Sequence, residues 1–154
     1  MKCTKNSLGA LMLIGMLGIT PLCYGGTSSD KTTVEEVKKE TQDLLKTLSA
    51  YTVDQKDEAI DKTKAALDSL DKRIDALEKD VDKSWDKMDK ATREKARASL
   101  KELRKQRTQA AEQYGSLKNS TGDAWEHVKK GFSDSYQDLT NAWEKSEKEF
   151  GADK

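Results

Sequence analysis

Apolar positions recur at steps of three and four over most of this chain. Val34, Val37, Thr41, Leu44, Leu48 and Tyr51 form a first set, and the alternation predicts an amphipathic helix. Thr32 followed by Glu35 reads as a capping box at its start, with Asp30 as another capping residue. After Tyr51 the phase changes. The step from Leu48 to Val53 is five, which fits neither three nor four, and Thr52 with Gln55 forms a second capping box there. The segment 50–53 is therefore a kink or short break, or else a local shift of phase in a continuous helix.

The next set is Val53, Ile60, Thr63, Leu67, Leu70, Ile74, Leu77, Val81 and Met88. Within it the heptads LDSLDKR, IDALEKD and VDKSWDK follow one another from Leu67 to Lys87. Apolar a and d positions among Asp, Glu, Lys and Arg define a coiled-coil seam. The expected seam residues are Ile60, Leu67, Leu70, Ile74, Leu77 and Val81, joined by Leu100 and Leu103 from the following arm. Trp85 lies beside the d position held by Ser84 and is placed to cover the end of the seam.

Asp89-Lys90-Ala91-Thr92 is the predicted turn, with Asp89 and Thr92 each able to cap a new helix. The stripe beyond it runs Ala96, Leu100, Leu103, Arg107, Ala110, Tyr114, Leu117, Thr121, Ala124, Val128 and keeps phase into the last stretch. It predicts one helix from about Thr92 to Phe150, weakest at 118–122 (KNSTG). Its final part carries Trp125, Val128, Phe132, Tyr136, Leu139, Trp143 and Phe150 on one face. Ala124-Trp125-Glu126 recurs as Ala142-Trp143-Glu144 eighteen residues later, about five helical turns, so the two indoles point the same way.

The two arms, 31–89 and 91–150, match in length. Folding at residue 90 pairs positions whose numbers sum to about 180, which sets Leu77 near Leu103, Val53 near Val128, Leu48 near Phe132 and Val37 near Trp143. The expected fold is all-α: a long antiparallel helical hairpin (a coiled coil) over 31–150, about 90 Å long at 1.5 Å per residue. The alternative folds Lys31–Tyr51 back as a third helix and gives a three-helix bundle. A two-helix hairpin leaves part of each apolar stripe uncovered, so self-association is expected.

Composition adds a setting. Lys2 and Lys5 precede an apolar run, Leu8 to Thr20, that is too short to span a membrane at the ~20 residues required. It reads as the core of a signal peptide covering residues 1–25, cleaved after Gly25 or after Gly26. An uncleaved anchor and lipidation at Cys23 are the competing readings, and Leu22 before that cysteine disfavours the second. Residues 26–30 form a polar leader and 151–154 a tail. Cys3 and Cys23 are the two cysteines, so the mature chain is expected to have no disulfide and no thiol chemistry. Removing residues 1–25 takes Lys2 and Lys5 and no acid from 28 basic and 28 acidic residues, leaving about −2. Interleaved charge of this kind offers no footprint for nucleic acid. With 36% charged residues and a single proline, at position 21, the composition is that of long helices.

Candidate chemistry is sparse. His127 is the single histidine and reads as a solvated helix residue, so a zinc site lacks its usual ligands. The aspartates do not form a calcium loop. Paired carboxylates lie along helices without a cleft to desolvate them. No phosphate-binding glycine loop or nucleophile elbow occurs. Asn119-Ser120-Thr121 matches a glycosylation acceptor, a short and unspecific pattern. Neither an enzyme, a cofactor nor a metal is expected. The stripe Trp125, Val128, Phe132, Tyr136, Leu139, Trp143, Phe150 is the candidate interaction surface. It reads first as core against Val34 to Leu48. It reads second as a face that enters a lipid interface, flanked by Lys129, Lys130 and Lys145, although a balanced polar face attracts anionic lipid weakly.

Gly122-Asp123-Ala124-Trp125-Glu126-His127-Val128-Lys129-Lys130-Gly131, followed by Ala142-Trp143-Glu144-Lys145, resembles a C-terminal signature of small exported bacterial coiled-coil proteins. That signature has the form S/T-G-x-A-W-E-x-(L/V)-K-x-G, then A-W-x-x-L-x-x-A. Here Tyr136 stands where the family has its second Trp, and Trp143 comes one heptad later. The resemblance covers the last third of the chain. It implies a bacterial, periplasmic or secreted protein linked to stress, without enzymatic activity. The resulting expectation is a non-enzymatic coiled-coil protein of the cell envelope, acting by protein–protein contact or holdase-like binding on an envelope partner that the sequence does not identify. The alternative is a peripheral amphipathic-helix protein bound to a membrane surface.

Overall fold

The computed structural model describes residues 33–151. The signal peptide, its cleavage after Gly25 or Gly26, the Cys23 reading, the leader 26–30 and the tail beyond Gly151 lie outside the described residues. Four α-helices follow in order: α1 Val34–Ala50, α2 Lys56–Ser84, α3 Lys90–Asn119 and α4 Trp125–Phe150. Among the described residues there is no strand.

The capping box that opens α1 lies one residue later than expected. Glu36 N donates to Thr33 Oγ1 at 3.2 Å, and Thr33 N donates to the Glu36 carboxylate at 2.7 Å. Both Thr-x-x-Glu frames satisfy the local rule, and the one used starts the helix at Val34, with Val37 buried. The turn between α2 and α3 falls at Met88–Asp89, sharing Asp89 with the expected four residues and starting one residue earlier. Both have extended backbone, and Asp89 caps α3 by accepting from Thr92 N at 2.7 Å. Arg93 closes the other side, donating from Nε to Trp85 O at 2.9 Å and from Nη2 to Asp86 O at 3.3 Å.

The antiparallel pairing about residue 90 holds along both arms. Arg104 Nε meets Glu78 at 2.8 Å and Arg107 Nε meets Asp71 at 2.6 Å, joining α3 to α2. Thr41 and Thr140 are 3.2 Å apart and Lys38 meets Glu144 at 2.8 Å, joining α1 to α4. Each pair sums to about 180, the expected register.

The arms, however, do not run out straight. The first bends at Tyr51–Thr52, where the phase shift lies. The second bends at Ser120–Thr121, so the single helix expected from Thr92 to Phe150 is two helices. The hairpin is thereby folded in half, and the unit is a four-helix bundle in which α4 packs closely on α3 while α1 meets α2 more loosely, through Glu40 and Arg73. The alternative with Lys31–Tyr51 folded back had half of this arrangement; the second arm turns at the same level as the first. Hydrophobic burial drives the double turn. A straight hairpin wets part of each stripe, whereas the bundle places Leu48, Leu70, Ile74, Leu77, Leu103, Leu117, Trp125, Phe132 and Leu139 at 1% exposure or less.

Candidate functional site

The two bends have the same construction. At the first, Tyr51 and Thr52 are extended and a 3₁₀ turn, Val53–Gln55, leads into α2. At the second, Ser120 and Thr121 are extended and a 3₁₀ turn, Gly122–Ala124, leads into α4. Thr-x-Asp occurs in both, as Thr52-Val53-Asp54 and Thr121-Gly122-Asp123. Hydroxyl and β-branched residues compete with helical hydrogen bonding at such points. Gln55 Oε1 accepts from Thr52 N at 3.2 Å, the half of the expected capping box that fixes the first bend.

The bends are tied to each other crosswise. Trp125, fourth after Thr121, donates from its indole N–H to Tyr51 O at 3.1 Å. Lys56, fourth after Thr52, donates from Nζ to Ser120 O at 2.6 Å. Val53 and Gly122, each next after its threonine, face one another: a Cβ on Gly122 would lie 3.8 Å from Val53 Cγ2. Val53 itself is 42% exposed. It was expected within the apolar stripe against Val128. The chain has already turned at residue 52, which puts this side chain on the outside.

The repeat extends through the core. Positions shifted by the spacing of Thr52 and Thr121 are buried in both halves: Thr41 and Ala110, Leu48 and Leu117, Thr63 and Phe132, Leu70 and Leu139, Ile74 and Trp143, Leu77 and Ser146, Val81 and Phe150. The burial pattern of α1 and α2 thus recurs in α3 and α4, although α3 and α4 pack together far more closely than α1 and α2.

Lys129 is the least expected member of this region. It is 5% exposed. Its ammonium donates to Tyr51 O at 2.8 Å and Ser49 O at 3.3 Å, and pairs with Glu126 at 2.9 Å. It also lies 5.7 Å from the centre of the Trp125 ring. The last turn of α1 contains no basic residue of its own. Lys129 supplies from α4 the positive charge that a helix C-terminus favours, and satisfies carbonyls left without helical partners. In sequence Lys129 reads only as a flank of the stripe, because Val128 already supplies the apolar residue between Trp125 and Phe132.

The aromatic stripe belongs to the interior. Trp125, Phe132, Tyr136, Leu139, Trp143 and Phe150 are buried, and Val128 is half-buried. Phe132 and Tyr136 stack with ring centres 5.6 Å apart. The Tyr136 hydroxyl donates to Ala66 O at 3.3 Å, reaching α2 from α4. Burial pushes its pKa up to about 12, against a smaller opposing pull from Arg73. Thr140 donates to Tyr136 O at 2.9 Å, which leaves Thr41 as donor in the buried Thr41–Thr140 pair. Trp143 Nε1 has no partner among the described residues. Glu144, one residue on, is held below the usual carboxylate range by hydrogen bonds from Lys148 and Lys38.

Of the expected seam, Leu70, Ile74, Leu77, Val81 and Leu103 are buried, and Ile60, Leu67 and Leu100 half-buried. Trp85 covers its end as expected. The ring packs under two guanidinium groups, Arg93 at 5.6 Å and Arg97 at 4.8 Å, in a shallow depression that Val81, Asp82, Asp86 and Leu100 complete. His127 is exposed. Among the described residues no group of His, Cys, Asp or Glu is placed to hold a metal ion, and no helix is long and apolar enough to cross a membrane.

These features define a class: a four-helix bundle whose distinctive chemistry is a buried aromatic stripe behind two mutually capped bends. No protein-family model, curated protein or solved structure matches this chain.

Proposed function

We propose that this is a non-enzymatic, exported coiled-coil protein of the bacterial cell envelope, linked to stress and acting by protein–protein contact of a holdase kind. The observation that supports the reading is the placement of the stripe. Trp125, Phe132, Tyr136, Trp143 and Phe150 lie on one helix, and that helix begins at a bend closed by a few polar contacts. Loosening the bend releases a long apolar face for an unfolded client, and refolding withdraws it. Export and the link to stress come from the N-terminal pattern and the signature resemblance.

The test is suppression of aggregation. Purified protein added at equimolar ratio to a thermally unfolding model client should delay light scattering, and Phe132→Asp should weaken that delay. Failure to slow aggregation, with no envelope protein recovered by cross-linking in cells, removes the reading. The same stripe supports a second reading, attachment to a lipid surface, because eighteen-residue spacing of Trp125 and Trp143 keeps a straight apolar face. Vesicle flotation with a blue shift of tryptophan fluorescence selects that reading instead.

A further inference from the structure

The geometry points to a specific interaction partner: a second copy of this chain, with which it exchanges halves by straightening at both bends. The two halves are α1 with α4 and α2 with α3, each held by its own contacts across residue 90. Between them the bundle is joined by Glu40–Arg73 at 2.8 Å, by Tyr136 Oη on Ala66 O, and by the α3–α4 packing.

Very little backbone separates the bent chain from a straight one. Tyr51 and Thr52 have φ of −70° and −80°, already near helical values, with ψ of 129° and 170°. Ser120 and Thr121 have φ of −67° and −87° with ψ of 147° and 169°. Rotation of ψ at these residues, together with adjustment of the adjoining 3₁₀ turns, makes each arm one helix. No proline lies in either arm to prevent it.

The apolar phase also allows it. Leu48 to Ala59 and Leu117 to Val128 are each eleven residues, about three turns with ~20° to spare on a continuous helix. A straightened arm therefore keeps one unbroken apolar face. In the monomer each half covers the other. In a straightened chain those faces are bare, and a second straightened copy carries the matching half in the required sense. Two such rods side by side and antiparallel remake the inter-half contacts in trans, which gives a closed, isologous dimer.

The crosswise ties set which form is preferred. In a straight arm Tyr51 O and Ser120 O accept from their own helix, so Trp125, Lys129 and Lys56 lose these acceptors. The ties hold the bent monomer at low concentration, and mass action favours exchange at high concentration.

The inference stands apart from the holdase reading, because its test measures mass and shape rather than client binding. Wild-type protein, Lys129→Met and Thr52→Pro/Thr121→Pro are annealed at rising concentration, then analysed by size-exclusion chromatography with light scattering and by small-angle X-ray scattering. Proline suits the backbone of the bent form, since residues 51 and 120 are already extended, and costs it the exposed Thr52 N–H to Gln55 contact, whereas it is incompatible with the straight helix. Wild type should give a dimer fraction that rises with concentration, Lys129→Met at least threefold more at equal concentration, and the double proline variant less than one tenth of the wild-type fraction. Helix content by circular dichroism checks that each variant is folded, and Thr52→Pro alone serves if the double variant is not. The dimer should scatter as a rod whose arms, residues 34–84 in one helix, span about 77 Å, against about 45 Å for the longest helix of the monomer. Monomers throughout for both wild type and Lys129→Met overturn the inference, as does a dimer that forms equally well with proline at the bends.

Discussion

The indole N–H of Trp125 donates to the main-chain carbonyl of Tyr51 across 74 residues, at 3.1 Å. This contact ties the first turn of α4 to the last turn of α1, at the point where both arms reverse. Tyr51 O is the C-terminal acceptor of a helix that ends there, so its satisfaction falls to side chains of another helix. Trp125→Phe keeps most of the packing and removes the donor. The expected loss is about 1 kcal/mol. Trp125→Ala also empties a site that is 1% exposed, with an expected loss of ~3–5 kcal/mol. Urea denaturation followed by circular dichroism measures both, and equal losses for the two would contradict the role of the indole N–H.

Lys129 and Glu126 form an ion pair whose two members should behave very differently. Lys129 is 6% exposed at its side chain and Glu126 80%. Removing the glutamate charge leaves the ammonium on its two carbonyls, so Glu126→Gln should shift stability by less than about 0.5 kcal/mol. Lys129→Met strands Ser49 O, leaves Tyr51 O with the Trp125 indole as its one donor, and should cost about 1–3 kcal/mol. Stability curves for the two single variants decide this, and a large effect at Glu126 would mean that the pair, not the carbonyls, holds the bend.

Tyr136 sets an alkaline limit. Its hydroxyl is raised from 10 to about 12 by burial, so the folded protein holds this proton more tightly than the unfolded chain does. The associated stability is present in full below pH ~10 and is lost as pH rises from there towards ~12, up to about 3 kcal/mol for a shift of this size. Tyr136→Phe should flatten that part of the stability–pH curve relative to wild type while costing only the hydrogen bond to Ala66 O at neutral pH, about 1 kcal/mol. Parallel slopes for the two proteins above pH 10 would show that Tyr136 ionises as freely in the fold as outside it.

Gly115 lies inside α3, and a Cβ there meets nothing within 4 Å. Gly115→Ala should therefore stabilise the bundle by about 0.5–1 kcal/mol through backbone entropy alone. Gly131 is different: its Cβ would fall 2.6 Å from Gln113 Oε1 on the neighbouring helix. Gly131→Ala should gain less unless paired with Gln113→Ala. Thermal midpoints of the three variants test the ordering, and a gain at Gly131 as large as at Gly115 would show that the Gln113 side chain swings aside at no cost.

Much of this arrangement is legible in the sequence. The three-four spacing from Val34 onward specifies helices, because only one face of a helix meets that spacing. The register of Thr41 with Thr140 and of Glu78 with Arg104 followed from equal arm lengths about a turn near residue 90. The weak points at 50–53 and 118–122 were visible in a phase step of five and in the run KNSTG. The stripe from Trp125 to Phe150 read as core first, and its aromatic side chains lie in the core.

The periodicity does not carry the sense of the bends. Eleven residues from Leu48 to Ala59, and from Leu117 to Val128, keep the apolar face in phase whether the arm is straight or folded. A straight hairpin and a bundle are equally consistent with that pattern; only the solvent exposure of the whole unit separates them. Burial of both faces decides for the bundle. Once the halves meet, Trp125 and Lys129 reach Tyr51 O and Lys56 reaches Ser120 O. The local pattern thus determined the helices and their pairing about residue 90. Tertiary packing determined that the arms fold, and made a lysine and an indole N–H, unremarkable in sequence, the groups that hold them folded.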